Sequence, residues 1–337
     1  MTDGADPIMA IIGCVESARY IGSLGSAILQ RMLDTSDEQH TETCYELPQR
    51  FVACVRTAES ASRLNDRFAA YVAADDTAKP RKHAPRARMV DVLFGAGRNV
   101  EAVRHSTVVI LGCQPSQVAG VVAEEGMADA LRGKLVINIC AGITDAVLWD
   151  LMLRQSPSSD DATPGRKRDE YYLVHAMPNA ASLVGQSETI VSPRPADFPE
   201  RYNVLADWVF RSIGHVTELP RDLMAVGTVT AGCAVGFLAP VLQGIMAGAE
   251  AAGLDGDVAL RMAAQAIKGA AEMVLAQGKT PDDLVREVAT PGGCTARGLA
   301  VLADKQRTGN VAMAFEGAMK EAVARIFELE ASSNVVG

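Results

Sequence analysis

Thr290-Pro291-Gly292-Gly293-Cys294-Thr295 puts two hydroxyls, a thiol and two adjacent glycines within six residues. Gly292 and Gly293 let a ligand approach the backbone closely. Thr before Pro predicts a helix start here, because Thr caps free N–H groups and Pro suits the first turn. Backbone N–H groups at a helix start attract anions such as a carboxylate. The hydroxyls of Thr290 and Thr295 can donate or accept at the same place. Cys294 has no His or other base near it in sequence and reads as an inert thiol rather than a nucleophile. The chemistry on offer is capture of a carboxylate beside a hydroxyl. An ordinary loop entering an ordinary helix has the same composition, since helix starts are common.

A second set of residues opens the chain. Ile8–Ile12 is an apolar run ending at Gly13, the pattern of a buried strand. Ser23–Leu33 follows with helical spacing at Leu24, Ala27, Ile28 and Met32. Strand, glycine turn and helix form the opening of a dinucleotide-binding unit. Gly13 is separated from Gly22 and Gly25 by Val15–Ile21. With that segment set aside, Gly13-Cys14-Gly22-Ser23-Leu24-Gly25 reads G-x-G-x-x-G. We read Val15–Ile21 as an insertion within a phosphate loop, or as intervening sequence wrongly retained in the deduced chain. Phe51–Val55 is a second strand and ends at Arg56-Thr57. An acidic residue at that point suits a free ribose 2′-hydroxyl, and an Arg suits a 2′-phosphate. Arg56 with Thr57 therefore predicts NADPH, with NADH as the alternative cofactor.

The stretch Ala289–Leu299 resembles the signature of the pyrroline-5-carboxylate reductases. The resemblance runs back through Gly253-Leu254, Arg261-Met262-Ala263-Ala264-Gln265, Lys268-Gly269-Ala270-Ala271 and Thr280-Pro281-Asp282-Asp283-Leu284, and forward to about Leu329. It implies an α/β fold: an N-terminal Rossmann-like dinucleotide-binding domain over 7–219, then an all-helical dimerisation and substrate-binding domain over 220–330. It implies hydride transfer to a protonated cyclic imine, the last step of proline biosynthesis, with no metal. In that reading, N–H groups around Gly292, Gly293 and Cys294 hold the substrate carboxylate. Thr295 hydrogen-bonds the ring nitrogen, and Thr290 orders the loop or binds the carboxylate. The resemblance also implies that Asn99 touches the adenosine side of the cofactor. It brings Gln114-Pro115, Ala141-Gly142 and Met177-Pro178-Asn179 to the cofactor as well. The chain departs from the family at Gln114, where Lys is usual, at His175, where Arg often stands, at Ala180-Ala181-Ser182, and at Ala234-Val235. The departures at Gln114, Ala181 and Ala234-Val235 support a related cyclic-imine reductase of secondary metabolism as an alternative. The Val15–Ile21 insertion supports a non-catalytic paralogue with an impaired cofactor loop.

Further strands are expected at Val108–Leu111, Leu135–Ile139, Tyr172–Ala176, Thr189–Val191 and His215–Leu219, with a helix over Leu64–Tyr71. Residues 75–88 and 156–170 read as solvated insertions. The 337 residues suit two domains, and an apolar content of 48% supports a real core. The net charge of −9 excludes the usual basic nucleic-acid binder. Seven scattered cysteines with no C-x-x-C pair predict reduced thiols in the cytoplasm and no metal site. Leu223–Ala249 carries no charge over 27 residues, long enough for a membrane span. Pro240 and five glycines dilute it, so it reads as a helix buried at a subunit interface, with no membrane. Stripes at Val258, Met262, Ala266, Ala270 and Met273, and at Val311, Phe315, Met319, Ala322 and Ile326, read as core or interface. By resemblance the partner is a second copy, as a homodimer or a higher assembly of dimers.

Overall fold

The structure, a computed structural model, describes residues 7–14, 24–35, 45–72, 88–154, 171–303 and 311–335. Gly22, Ser23 and the Val15–Ile21 segment lie outside the described residues, as do nearly all of 75–88 and all of 156–170.

Eight strands form one sheet, in the order β3-β2-β1-β4-β5-β6-β7-β8. They are β1 Ile8–Ile12, β2 Arg50–Val55, β3 Met89–Phe94, β4 Val108–Leu111, β5 Leu135–Asn138, β6 Tyr172–Met177, β7 Ser187–Val191 and β8 Gly214–Glu218. All neighbours run parallel except β6 and β7. The order reverses beside β1, which pairs with β2 on one side and β4 on the other. Such a switch point leaves a crevice beyond the carboxyl ends of the strands.

Central parallel strands are buried on both faces, which explains their unbroken apolar runs. Met9 and Ile11 join one core cluster, Ala10 and Ile12 the other. The first cluster is closed by α1 (Leu24–Asp34), α2 (Ala58–Arg67) and α7 (Glu200–Ile213). The second is closed by α3 (Arg98–His105), α4 (Pro115–Val122), α5 (Met127–Leu131) and α6 (Asp145–Arg154).

Three expectations change. The helix after β2 spans Ala58–Arg67, not Leu64–Tyr71. Thr57 starts it early, its hydroxyl accepting from Ser60 N at 3.2 Å. The strand β3 was not expected. It is an edge strand with a half-exposed face, so its apolar pattern is interrupted by Asp91. Arg88 is not solvated: it is 8% exposed, bonds the carbonyls of Met32 and Thr35 at the end of α1, and lies 5.6 Å over the Trp208 ring.

The remaining helices are α8 (Met224–Gly227), α9 (Ala234–Phe237), α10 (Ala239–Ala251), α11 (Gly256–Gln277), α12 (Pro281–Val288), α13 (Cys294–Ala303) and α14 (Val311–Val335). A π-helical turn, Thr228–Cys233, links α8 and α9. By compactness the chain forms two units: one holds residues up to Gly232 together with those from Ala324 onward, the other Cys233–Val323. Met224 and Ala231 pack with Met177 and Ile190 in the first unit. Arg221–Ala251 is long and apolar enough, by length and composition alone, to cross a membrane. Only 17% of its most apolar window is buried within the chain.

Candidate functional site

In the first unit, those of the groups expected to hold a dinucleotide that lie among the described residues gather at the carboxyl edge of the sheet. Gly13 leaves β1 with φ +97°, and a Cβ there would lie 2.5 Å from the backbone N of Cys113. Its N–H and that of Cys14 donate to Cys54 O at 3.1 and 3.3 Å. The turn is thereby tied to the end of β2. Gly25, in the first turn of α1, sits where a Cβ would be 3.3 Å from Ile11 Cγ2. A tight turn at the first glycine and close helix–strand packing at the last are the uses a dinucleotide fold makes of them. Leu24 begins α1 and is half-buried.

Arg56 is exposed beyond β2, and Thr57 caps α2 beside it, its Oγ1 also 3.0 Å from Ser60 Oγ. A guanidinium and hydroxyls at a helix start suit a phosphate. Asn99 lies in the first turn of α3, but its amide donates to Glu124 Oε1. It therefore meets a carboxylate first, and a ligand would have to compete for it. Gln114 precedes Pro115, the first residue of α4, and Gln117 Oε1 accepts from Gln114 N at 3.3 Å.

After β5, Gly142 takes φ +75° in the turn containing Ala141. Asn138 builds this turn: its Nδ2 donates to Ile143 O at 2.7 Å and its Oδ1 accepts from Cys140 N at 3.0 Å. Sequence reasoning missed Asn138. The signal was a polar residue ending an apolar strand. Met177 and Pro178 are buried at the end of β6. Asn179 is 7% exposed, and both ends of its amide are engaged: Oδ1 accepts from Ala181 N at 2.9 Å, and Nδ2 donates to Ala231 O at 3.0 Å. Asn179 is thus a brace, and the backbone around it is what the edge presents.

Four cysteines line this edge: Cys54, Cys14, Cys113 and Cys140 end or follow β2, β1, β4 and β5, all buried. Burial, with the charges of Glu124 and Glu101 behind it, pushes the Cys54 thiol up to about 12. Contact with Cys113 and then burial raise Cys140 as well, and its Sγ donates to Leu111 O at 3.2 Å. Cys54 and Cys140 therefore stay protonated, adding no charge beside a phosphate.

His175 on β6 is 7% exposed, and desolvation lowers it to about 4. It is neutral at ordinary pH.

The second unit carries the Thr290–Thr295 stretch. The helix does not begin at Pro291. Thr290 O accepts from Gly293 N at 3.0 Å, and Gly292 takes φ +75°. Pro then Gly at the centre of such a turn is the type II pattern. Helix α13 begins at Cys294. The Gly293 N–H, expected to help hold a carboxylate, closes the turn here. By helix geometry the N–H groups of Cys294 and Thr295 have no acceptor within the helix. A Cβ on Gly293 would fall 2.4 Å from Thr290 Oγ1, so the Thr290 hydroxyl folds over a glycine. Thr290 and Cys294 are exposed, and Thr295 is half-buried. Among the described residues no group of His, Cys, Asp and Glu could hold a metal ion.

Residues 221–329 match the family model described as pyrroline-5-carboxylate reductase dimerisation. Residues 10–142 match the model described as NADP oxidoreductase, coenzyme F420-dependent. The chain is 35% identical to a pyrroline-5-carboxylate reductase of Lophium arboricola, over 93% of this chain and 91% of the relative. It is 32% identical to one of Neurospora crassa, over 98% and 95%. A crystal structure of a Plasmodium falciparum pyrroline carboxylate reductase with NADP bound is similar in fold, with TM-score 0.64 and 18% identity, over 97% of this chain and 100% of that one.

Proposed function

From its membership of the pyrroline-5-carboxylate reductase family, to which this chain belongs, we propose that it reduces 1-pyrroline-5-carboxylate to L-proline with NADPH, in the cytoplasm. Its first unit is an NAD(P)-binding Rossmann domain, and its helical region is a dimerisation domain of that family.

The carrying observation is the turn at 290–293 leading into α13. Cys294 and Thr295 N–H groups at the helix start suit a carboxylate. The substrate has a carboxylate beside an imine nitrogen, so a helix start holding the first brings the Thr295 hydroxyl within range of the second. The imine enters protonated, and Thr295 Oγ1 accepts from the ring N–H, favouring the charged form. A Thr hydroxyl is too weak an acid to supply that proton, which comes with the substrate or from water. NADPH, when bound, supplies the hydride. The product nitrogen keeps the proton, so the hydroxyl neither gains nor loses one. Orientation and electrostatics are the protein's contribution.

Gly13, Gly25 and the Arg56–Ser60 corner fit a dinucleotide with a 2′-phosphate, on the packing described above. The departure at Gln114 supports a second reading, reduction of a cyclic imine with a different ring or side group. Titrating the purified chain with NADPH by fluorescence, then assaying proline formation, tests the first reading. Binding at micromolar concentration with turnover is expected. Binding with turnover only on other cyclic imines moves the assignment to the second reading. Absence of binding until Val15–Ile21 is deleted means the chain as written is not an active reductase.

A further inference from the structure

A cavity of about 780 Å³ opens in the first unit, and none of Gly13, Arg56, Gln114, Ala141 or Asn179 lines it. Its walls include two aromatic pairs. Trp149 on α6 meets Tyr171 edge-on at 5.3 Å, and Tyr172 on β6 meets Phe198 edge-on at 5.8 Å. Among the described residues the acidic lining groups are Asp145, Asp197 and Glu330, against the guanidinium of Arg221. His175 also lines it and adds no charge at ordinary pH.

Two of these groups are buried and incompletely satisfied. Asp145 is 9% exposed. Its Oδ2 accepts from Arg221, while its Oδ1 has no partner among the described residues. His175 is 7% exposed, and its Nε2 has none either. A buried acceptor left unmade is costly, and for a charged group more so. Burial also raises Glu330, favouring its neutral form until a cation sits beside it. The lining thus offers an unmatched carboxylate oxygen, and three carboxyl groups against one lining guanidinium, beside ring faces. Ring faces attract cations electrostatically, and a carboxylate oxygen takes an N–H donor best when the donor is charged.

We propose that this cavity binds a small organic cation, an ammonium or amidinium head that donates to Asp145 Oδ1, on a flat apolar body lying against the Trp149–Tyr171 pair. The two head groups share one chemistry: several N–H donors and one positive charge. A neutral ligand of the same shape leaves the negative charge uncompensated. An anion meets three carboxylates.

The probe is benzamidine, titrated calorimetrically into the full-length protein without cofactor, with neutral benzamide and anionic benzoate as matched controls. Saturable millimolar binding of benzamidine is expected, with benzamide weaker by roughly tenfold or more and no heat from benzoate. Bound benzamidine should also change the emission of Trp149. Glu330→Gln and Trp149→Leu should each weaken benzamidine, and neither breaks the Asp145–Arg221 pair, so both remain informative where Asp145→Asn fails to fold. Equal binding of benzamide and benzamidine overturns the proposal, as it would show an apolar slot. Benzamidine affinity unchanged in both variants overturns it too, placing the probe elsewhere. No binding at millimolar concentration also overturns it and points to water as the partner of Asp145 Oδ1. The titration contains neither NADPH nor an imine, so any of these failures leaves the reductase reading untouched.

Discussion

Thr295 stands in the first turn of α13 with its side chain half-buried, and the proposed chemistry asks one hydrogen bond of it. Thr295→Val keeps the shape and removes the bond. Turnover should fall by roughly ten- to a hundredfold, since a hydrogen bond to a charged group is worth about 1.5–3 kcal/mol, while NADPH affinity in a fluorescence titration stays as it was. Unchanged turnover would refute the role. Arg56 carries a different burden. Because it is exposed, Arg56→Gln should weaken NADPH by only about tenfold, near 1.4 kcal/mol, and leave NADH binding unaltered. His175 gives a stability test. Its folded value of about 4 lies below the unfolded 6.5, so the folded state binds fewer protons between them. Its contribution is intact above pH 6.5 and lost as pH falls toward 4, with a slope approaching about 1.4 kcal/mol per pH unit. Denaturant melts from pH 7 to 4 should show that fall, and His175→Gln should flatten it.

At the scale of elements, the same dipeptide gives two outcomes. Thr280-Pro281 starts α12, because the Thr280 side chain accepts from Asp283 N at 3.2 Å and Asp283 Oδ2 accepts from Thr280 N at 2.9 Å. Thr290-Pro291 has glycines where that capping carboxylate would be, and turns instead. Gly292→Ala forces a side chain into φ +75° and should cost about 1 kcal/mol or more. It should also raise KM for the imine, because the N–H groups of α13 are aimed by that turn. Initial-rate kinetics with a thermal melt separate the two effects. The strands of the first unit were legible because parallel strands buried on both faces leave continuous apolar runs; β1 and β4 have the bounds the runs predict. The edge strand β3 was not, since half its side chains meet solvent. Nor was the engagement of Asn179 and Asn99, because their partners, Ala231 and Glu124, are remote in sequence and only the fold brings them near. Asn138→Ala should show how much the turn after β5 depends on such a group, with a loss of about 2–3 kcal/mol from two buried bonds in equilibrium denaturation.

For the whole molecule, apolar side chains of the helical unit that the chain does not cover are the main feature. Met262 is 61% exposed and Leu275 78%, both on α11, and in that unit only Ala259 and Ala263 are buried among the described hydrophobics. Surface of that kind is normally covered, and a dimerisation domain of the family accounts for it. A homodimer follows as our reading, and sedimentation should find one at micromolar concentration. Met262→Lys with Leu275→Lys should shift it toward monomer and make the melting temperature independent of protein concentration.

Gly142 meets the last helix: a Cβ there would come within 2.8 Å of Leu329 Cβ, and Ile326 on the same helix is buried. The first unit is therefore discontinuous in the chain, with Cys233–Val323 inserted before its closing piece. A ribosome delivers residues in order, so the turn after β5 is made long before the helix that covers it. Nucleation of the sheet can proceed early, but the final docking waits for the last residues and must close a long loop, whose entropic cost grows only slowly with length. Nascent chains stalled before Ala324 should therefore already have a protease-resistant sheet while the turn at Gly142 remains open to cleavage.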